Sequence, residues 1–125
     1  MTTALFLKLF PLWIKAFLLT QVIEIPLYVL VGRKGRISAA APPTPIWRLA
    51  LAGAACSCIT HPLLWFVWIL VVKDYVLYVV SGEILVALIE IAVFYLAARP
   101  IRFRYAVLAT LIANGASCAL GFWLQ

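Results

Sequence analysis

The stretch Tyr75–Ala98, YVLYVVSGEILVALIEIAVFYLAA, limits the fold of this chain more than any other part of its sequence. It is apolar and long enough to cross a bilayer as a helix, which takes about 20 residues. It also contains Glu83 and Glu90, which are seven residues apart and therefore lie on one face of a helix. A carboxylate at the centre of a bilayer costs about 2.5–3.5 kcal/mol or more. We therefore expect other helices to supply polar partners for this face.

Composition extends this expectation to the whole chain. Of its 125 residues, 67% are hydrophobic and 11% are charged, whereas soluble domains contain about 45–50% apolar and about 25% charged residues. The predicted fold class is an all-α integral membrane protein, a four-transmembrane-helix bundle in which residues 1–125 form one domain within the lipid bilayer. Its predicted spans are residues 12–31, 46–72, 75–98 and 105–124.

The charged residues predict the orientation of this bundle. Most of the ten Lys and Arg residues lie in two stretches, the Gly- and Pro-rich linker 32–45 with Arg48, and the turn 99–104. The positive-inside rule makes both stretches cytoplasmic, which puts both termini on the non-cytoplasmic side, in a bacterial inner membrane. Basic clusters can also indicate nucleic-acid binding. Because the sequence leaves no soluble surface to present them, we expect no nucleic-acid partner.

Each predicted helix carries polar residues near the middle of the membrane. Counting from the basic end of each helix at about 1.5 Å per residue arranges them in two adjacent layers. The first layer lies roughly 13–15 Å deep and comprises Glu24, Glu90 and Asn114. The second lies roughly 20–24 Å deep and comprises His61, Glu83 and Ser117. An alignment that draws on all four helices favours one shared polar site.

Ionisable residues inside a membrane are candidates for function, because they cost more than a structural hydrogen bond returns. We interpret this group as a site for a proton, an ion or a small polar solute, with the candidate residues Glu24, His61, Glu83, Glu90 and Asn114. Glu24 and Glu90 would be the inner carboxyl groups, and His61 and Glu83 the outer pair. Uncharged polar residues are interpreted as supporting hydrogen-bond partners between helices: Gln21, Ser57, Thr60, Thr110 and Ser117.

Two kinds of ligand suit these residue types. Carboxyl groups that lie close together in hydrocarbon tend to hold protons, which favours a proton-binding site or relay. A divalent metal ion would instead keep the carboxylates ionised, with ligands from His61, Glu83, Glu90 and Glu24. The sequence contains neither HExxH nor Glu-x-x-His, the spacings typical of metal sites on helices. The metal hypothesis therefore depends on residue types alone.

Two other functions stay open from the sequence. The first is an intramembrane enzyme that uses His61 or a glutamate as general base and Asn114 as an orienting or oxyanion group. No motif identifies a nucleophile for it. The second is an accessory subunit of a larger membrane complex, or a homo-oligomer, whose bulky aromatic residues contact a partner chain. Cys56, Cys58 and Cys118 are interpreted as small packing residues, since Cys56 and Cys58 point to different sides of a helix.

Overall fold

The computed structural model describes residues 3–123, with side chains from residue 6 onward. Its four helices are α1 (Thr3–Gly32), α2 (Ile46–Val71), α3 (Tyr75–Ala97) and α4 (Phe103–Trp123). Each is long and apolar enough to cross a membrane. Residues 3–123 contain no β-strand, so the predicted all-α, four-helix class is confirmed.

The helix boundaries lie close to the predicted spans except at the start of α1. This helix begins at Thr3 rather than at residue 12, and it continues past both Pro11 and Pro26. Membrane helices tolerate proline because neighbouring groups satisfy the carbonyls that the proline ring leaves free. Leu124, the last residue of the predicted fourth span, lies outside the described residues.

Helix α2 changes its winding in the middle. It is α-helical over Ile46–Pro62, π-helical over Leu63–Trp68 and α-helical again over Ile69–Val71. The wider turns begin directly after Pro62, which has no N–H to donate and whose ring crowds the preceding turn. Turns of this kind occur often at functional sites, and hydropathy does not predict them.

The four helices form a ring in which each packs on its neighbours in sequence, and α4 closes the ring against α1. The linker 33–45 and the turn 98–102 lie together at one end, because the Arg102 amide donates to the Gly35 carbonyl (2.9 Å). The Arg48 guanidinium likewise donates to the Ala97 carbonyl (3.0 Å). The hairpin 72–74 lies at the opposite end. The arrangement is the up-and-down bundle that short connections favour.

Burial divides this bundle into two halves. In the half next to the linker 33–45, here called the packed half, side chains fill the space between the helices. Its buried core comprises Tyr28, Leu49, Ala52, Cys56, Phe94, Ala98, Ile101, Ala106, Ala109 and Ala113. The half next to the hairpin 72–74 is here called the open half. Within residues 6–123, nothing is buried in α1 before Glu24, in α2 after Thr60 or in α4 after Ala113.

Candidate functional site

Glu90 of α3 is the residue on which all four helices converge. Its side chain is 1% exposed. The hydroxyl of Thr60 in α2 donates to its Oε1 (2.6 Å). Its Oε2 accepts hydrogen bonds from the hydroxyl of Tyr28 in α1 (2.8 Å) and from the side-chain amide of Asn114 in α4. One carboxyl group therefore receives a donor from each of the other three helices.

Glu24 of α1 is held in the same manner. It is also 1% exposed. Its two oxygens accept hydrogen bonds from the hydroxyls of Ser57 in α2 and Ser117 in α4, each at 2.6 Å. Ser117 lies one helical turn beyond Asn114, the residue that contacts Glu90. The two carboxyl groups therefore share one stretch of α4 and one stretch of α2.

Every donor to these two carboxyl groups is neutral. The donors are four hydroxyls and one amide, and no Lys, Arg or His among residues 6–123 forms an ion pair with either carboxyl. Hydrogen bonds from charged donors are about twice as strong as neutral ones, and a buried charge without an opposite charge is costly. The site therefore has no positive group of its own to balance an ionised carboxylate.

Two of the hydroxyls have a backbone carbonyl within reach as a second acceptor. Thr60 Oγ1 lies 3.0 Å from the carbonyl oxygen of Cys56, and Ser117 Oγ lies 3.1 Å from that of Asn114. Since a hydroxyl carries one proton, it donates to an ionised carboxylate in one arrangement. In the other, a protonated carboxyl donates to the hydroxyl, whose own proton turns to the backbone carbonyl. Both protonation states are thus hydrogen-bonded with the heavy atoms in the same positions.

A cavity of about 380 Å³ lies between the helices of the open half. Its floor is polar and is lined by Glu24, Ser57, Thr60, Glu90, Asn114 and Ser117. From there it extends past apolar side chains to Tyr75 and Phe122, which are exposed near the hairpin end. The two buried carboxyl groups are therefore reached from the open half, while the core of the packed half lies on their other side.

Glu83 and His61 lie along the cavity wall. Glu83 is two helical turns from Glu90 on α3, and within the described part of the chain its carboxyl group has no hydrogen-bond partner in the protein. His61 Nε2 lies 3.2 Å from the hydroxyl of Thr20, whereas its Nδ1 is buried without a partner among residues 6–123. Both side chains therefore retain hydrogen-bonding capacity next to the cavity.

The His61 ring lies between two aromatic side chains. It stacks on Trp65 with a centroid distance of 6.2 Å and an interplanar angle of 14°, and it meets the edge of Phe17 at 5.6 Å. Trp65 belongs to the π-helical turns of α2. Their wider winding is further fixed by α3, where the hydroxyl of Tyr78 donates to the Leu64 carbonyl (3.2 Å). The wall next to the carboxyl groups is therefore aromatic.

The positions of two residues differ from the predicted list of site and supporting residues. Gln21 does not line the cavity; its amide nitrogen points to Cys58 Sγ at 4.0 Å, and its Oε1 has no partner among residues 6–123. Tyr28 was not among the predicted site residues, although it donates directly to Glu90. Its position four residues after Glu24, one helical turn along the same face, is the signal that identifies it. Thr110 contacts the same hydroxyl at a longer 3.4 Å.

The four residues considered as metal ligands do not form one ligand set. Among the described residues, no three His, Cys, Asp or Glu side chains come close enough together to hold a metal ion. The three free cysteines do not complete such a group, since they lie in different environments. Cys56 is buried in the packed half, Cys58 is exposed, and Cys118 lines the cavity.

Comparison with known proteins supplies no relative from which a role could be transferred. The chain matches no protein-family model, no curated protein and no solved structure. The four-helix fold, the carboxyl network and the one-sided cavity are therefore the observations from which a function can be argued.

Proposed function

We propose that this chain is an integral membrane protein that binds and releases protons at Glu24 and Glu90, through a cavity open to one side of the bilayer. The observation that carries the proposal is the pairing of each buried carboxyl group with hydroxyls that can either donate or accept. A site built in this way gains or loses a proton by rotation of hydroxyl groups. No helix has to move.

A purely structural role would not require ionisable groups. Hydrogen bonds between membrane helices contribute about 0.6 kcal/mol on average. A glutamine at position 90 could accept from Tyr28 with its amide oxygen and donate to the Thr60 hydroxyl with its amide nitrogen, and it would avoid the cost of a carboxylate. Glutamate adds only the ability to exchange a proton or to attract a cation. Its use at two positions on the floor of one cavity supports function rather than packing.

The basic residues support a direction for this exchange. Seven Lys and Arg residues lie at the linker end of the bundle: Arg33, Lys34, Arg36, Arg48, Arg99, Arg102 and Arg104. By the positive-inside rule that end is cytoplasmic. The cavity would then open to the non-cytoplasmic side of a bacterial inner membrane, and the packed half would separate the carboxyl groups from the cytoplasm.

An enzyme that uses His61 as a base is the second candidate, because the hydroxyl of Thr20 lies within hydrogen-bond distance of the His61 ring. A nucleophile and base of this kind need a third group to orient the base. His61 Nδ1, where such a group would bind, has no partner among residues 6–123. We therefore rank proton exchange above catalysis.

Infrared difference spectroscopy of the protein in lipid nanodiscs tests proton exchange directly. A change from acidic to alkaline pH should remove the carbonyl-stretch band of a buried, protonated carboxyl group from wild-type spectra. We expect Glu90→Gln and Glu24→Gln each to reduce this band while the protein stays folded. The control is Asp74→Asn, because Asp74 caps the exposed start of α3 and its replacement should leave the band unchanged.

Two results would contradict the proposal. One is a carboxyl band that stays constant over the whole pH range in which the protein is folded. The other is a Glu90→Gln variant that fails to fold in the same lipid, because this would show that the carboxyl group is needed for structure.

A further inference from the structure

The charged side chains of the chain are distributed unevenly between the cavity and the rest of the molecule. It is lined by Glu24, Glu83 and Glu90, which are three of the four acidic residues in the chain, and by no Lys or Arg. The chain as a whole carries a formal net charge of +6, whereas this cavity gathers most of its acidic groups. An anionic solute would meet carboxyl groups with no cation between them, and like charges at close range repel. The lining therefore favours a positively charged occupant.

The walls are apolar and aromatic above the polar floor. They include the aromatic side chains of Trp65, Tyr75, Tyr78 and Phe122, together with aliphatic side chains of α2 and α3. Aromatic faces attract cations, most strongly where water is excluded. The aliphatic parts of the wall offer no hydrogen bonds to a solute that is polar over its whole surface. The walls therefore suit a cation with an apolar body.

The volume of the cavity leads to the same class of solute. About 380 Å³ lies within the range of about 300–1,000 Å³ that is typical of sites for drug-sized ligands. A proton or a bare inorganic cation on the carboxyl groups would leave most of this space without a contact. A molecule with an aromatic ring and a compact cationic head would fill it, with the head on the floor and the ring against the wall.

We propose that the cavity binds an organic cation with an apolar body, whose charged head lies at Glu24 and Glu90 in place of their protons. The inference rests on the proton exchange proposed above, and it adds the substrate class. Glu83 attracts the same head on its way through the cavity, since its carboxyl group lines the wall without a partner in the protein among residues 6–123.

Competition between the cation and protons depends on the titratable groups that face the two carboxyl groups. Besides the carboxyl groups themselves these are Tyr28 on α1, Cys56 and His61 on α2, Glu83 on α3 and Cys118 on α4. None of them is a Lys or Arg. Since no basic side chain balances the two carboxylates, protonation of Glu24 and Glu90 removes the negative charge that attracts the cation. We therefore expect the cation to bind more weakly at acidic pH.

Benzyltrimethylammonium is a suitable probe because it joins an aromatic ring to a compact cation. Its binding to the protein in nanodiscs can be measured by equilibrium dialysis, with benzenesulfonate as the anionic control and tetramethylammonium as the control that lacks a ring. We expect saturable binding of benzyltrimethylammonium alone. Glu90→Gln should weaken it about tenfold or more, because the cation loses a charge partner away from bulk water.

A pair of glycine variants tests whether the cation lies in the cavity. Gly121 lines the cavity, Gly115 does not, and a Cβ atom added at either position meets no atom of residues 6–123 within 4 Å. Gly121→Leu adds a four-carbon side chain to the cavity and should abolish or strongly weaken cation binding. Gly115→Leu places the same side chain on the same helix outside the cavity, and it should bind the cation as the wild type does.

The outcomes separate this inference from the function on which it rests. A carboxyl band that titrates in a protein that binds no benzyltrimethylammonium overturns the inference and leaves proton exchange in place. Equal binding of benzenesulfonate, or normal cation binding by Gly121→Leu, also overturns it. A carboxyl band that does not titrate overturns the proposed proton exchange, and with it the claim that the cation replaces protons.

Discussion

The packed half and the open half are made by the same four helices but differ in how much space those helices leave between them. A Cβ atom added to Gly53 in the packed half would lie 2.9 Å from the Cβ of Tyr28, closer than real side-chain atoms come. In the open half, the same addition at Gly121, which lines the cavity, meets no atom of residues 6–123 within 4 Å. The open half is close-packed where α3 meets α2, since a Cβ atom added to Gly82 would lie 2.6 Å from Leu64 Cδ1. Glu24 and Glu90 lie where one kind of packing gives way to the other. The packed half therefore supplies a fixed floor, and the open half supplies the space above it.

Residue size accounts for this difference. Small residues let membrane helices approach closely, and α4 contributes Ala106, Ala109 and Ala113 to the packed core. Two rings fill the remaining space there, since Tyr28 and Phe94 have centroids 4.5 Å apart. The open half of α2 is instead bulky, aromatic and π-helical. From these turns, Leu64 and Trp65 line the cavity, and Leu64 also packs against Gly82 of α3.

The largest expected effect comes from removing the same aromatic ring in each half. Phe94 is fully buried in the packed half, whereas Phe122 is 56% exposed at the far end of the cavity. Phe94→Ala should lower the free energy of unfolding by about 3–5 kcal/mol, because it leaves a void among close-packed neighbours. Phe122→Ala should change it by about 0.5 kcal/mol or less. Unfolding of the purified protein in mixed detergent micelles measures both.

Equal losses of stability in these two variants would contradict the division of the bundle. They would mean that Phe122 is packed in the membrane as tightly as Phe94, and that the open half is closed by lipid or by another chain.

A smaller effect is expected from adding a methyl group instead of removing a ring. Gly53→Ala should destabilise the protein by about 1–3 kcal/mol, since the new atom overlaps the base of the Tyr28 side chain, which cannot rotate away. Gly115→Ala should be neutral or stabilise by up to about 1 kcal/mol, as alanine favours the helix. A Gly53→Ala protein as stable as the wild type would show that α1 and α2 lie farther apart than the packed half requires.

Hydropathy and length were sufficient to predict the fold class, because the backbone N–H and C=O groups of an apolar segment in lipid find their hydrogen-bond partners within a helix. The exception was the start of α1. The predicted first span began at residue 12, directly after Pro11, but α1 extends back through Pro11 to Thr3. The π-helical turns of α2 were also beyond prediction. They depend on how Leu63–Trp68 packs against α3, and hydropathy carries no information about that contact.

Counting along the helices predicted which depths the polar residues share, but not which atoms meet. Glu90 and Asn114 were assigned to one layer, and they are hydrogen-bonded. Glu24 and Ser117 were assigned to neighbouring layers, yet they are hydrogen-bonded too, because a glutamate side chain reaches across one turn. The cavity could not be predicted at all. It results from the distance between helices, which is set by the packing of whole faces.

The smallest expected effect concerns Tyr28, whose ring belongs to the packed half and whose hydroxyl belongs to the site. Tyr28→Phe keeps the ring and should lower the free energy of unfolding by only about 0.6 kcal/mol, the average for a hydrogen bond between membrane helices. The infrared band of Glu90 should nevertheless shift, because one of its donors is gone. A double-mutant cycle with Glu90→Gln isolates this pair. If the stability effects of Tyr28→Phe and Glu90→Gln add without coupling and the band stays unchanged, the Tyr28 hydroxyl does not act on Glu90, and Tyr28 belongs to the packed half alone.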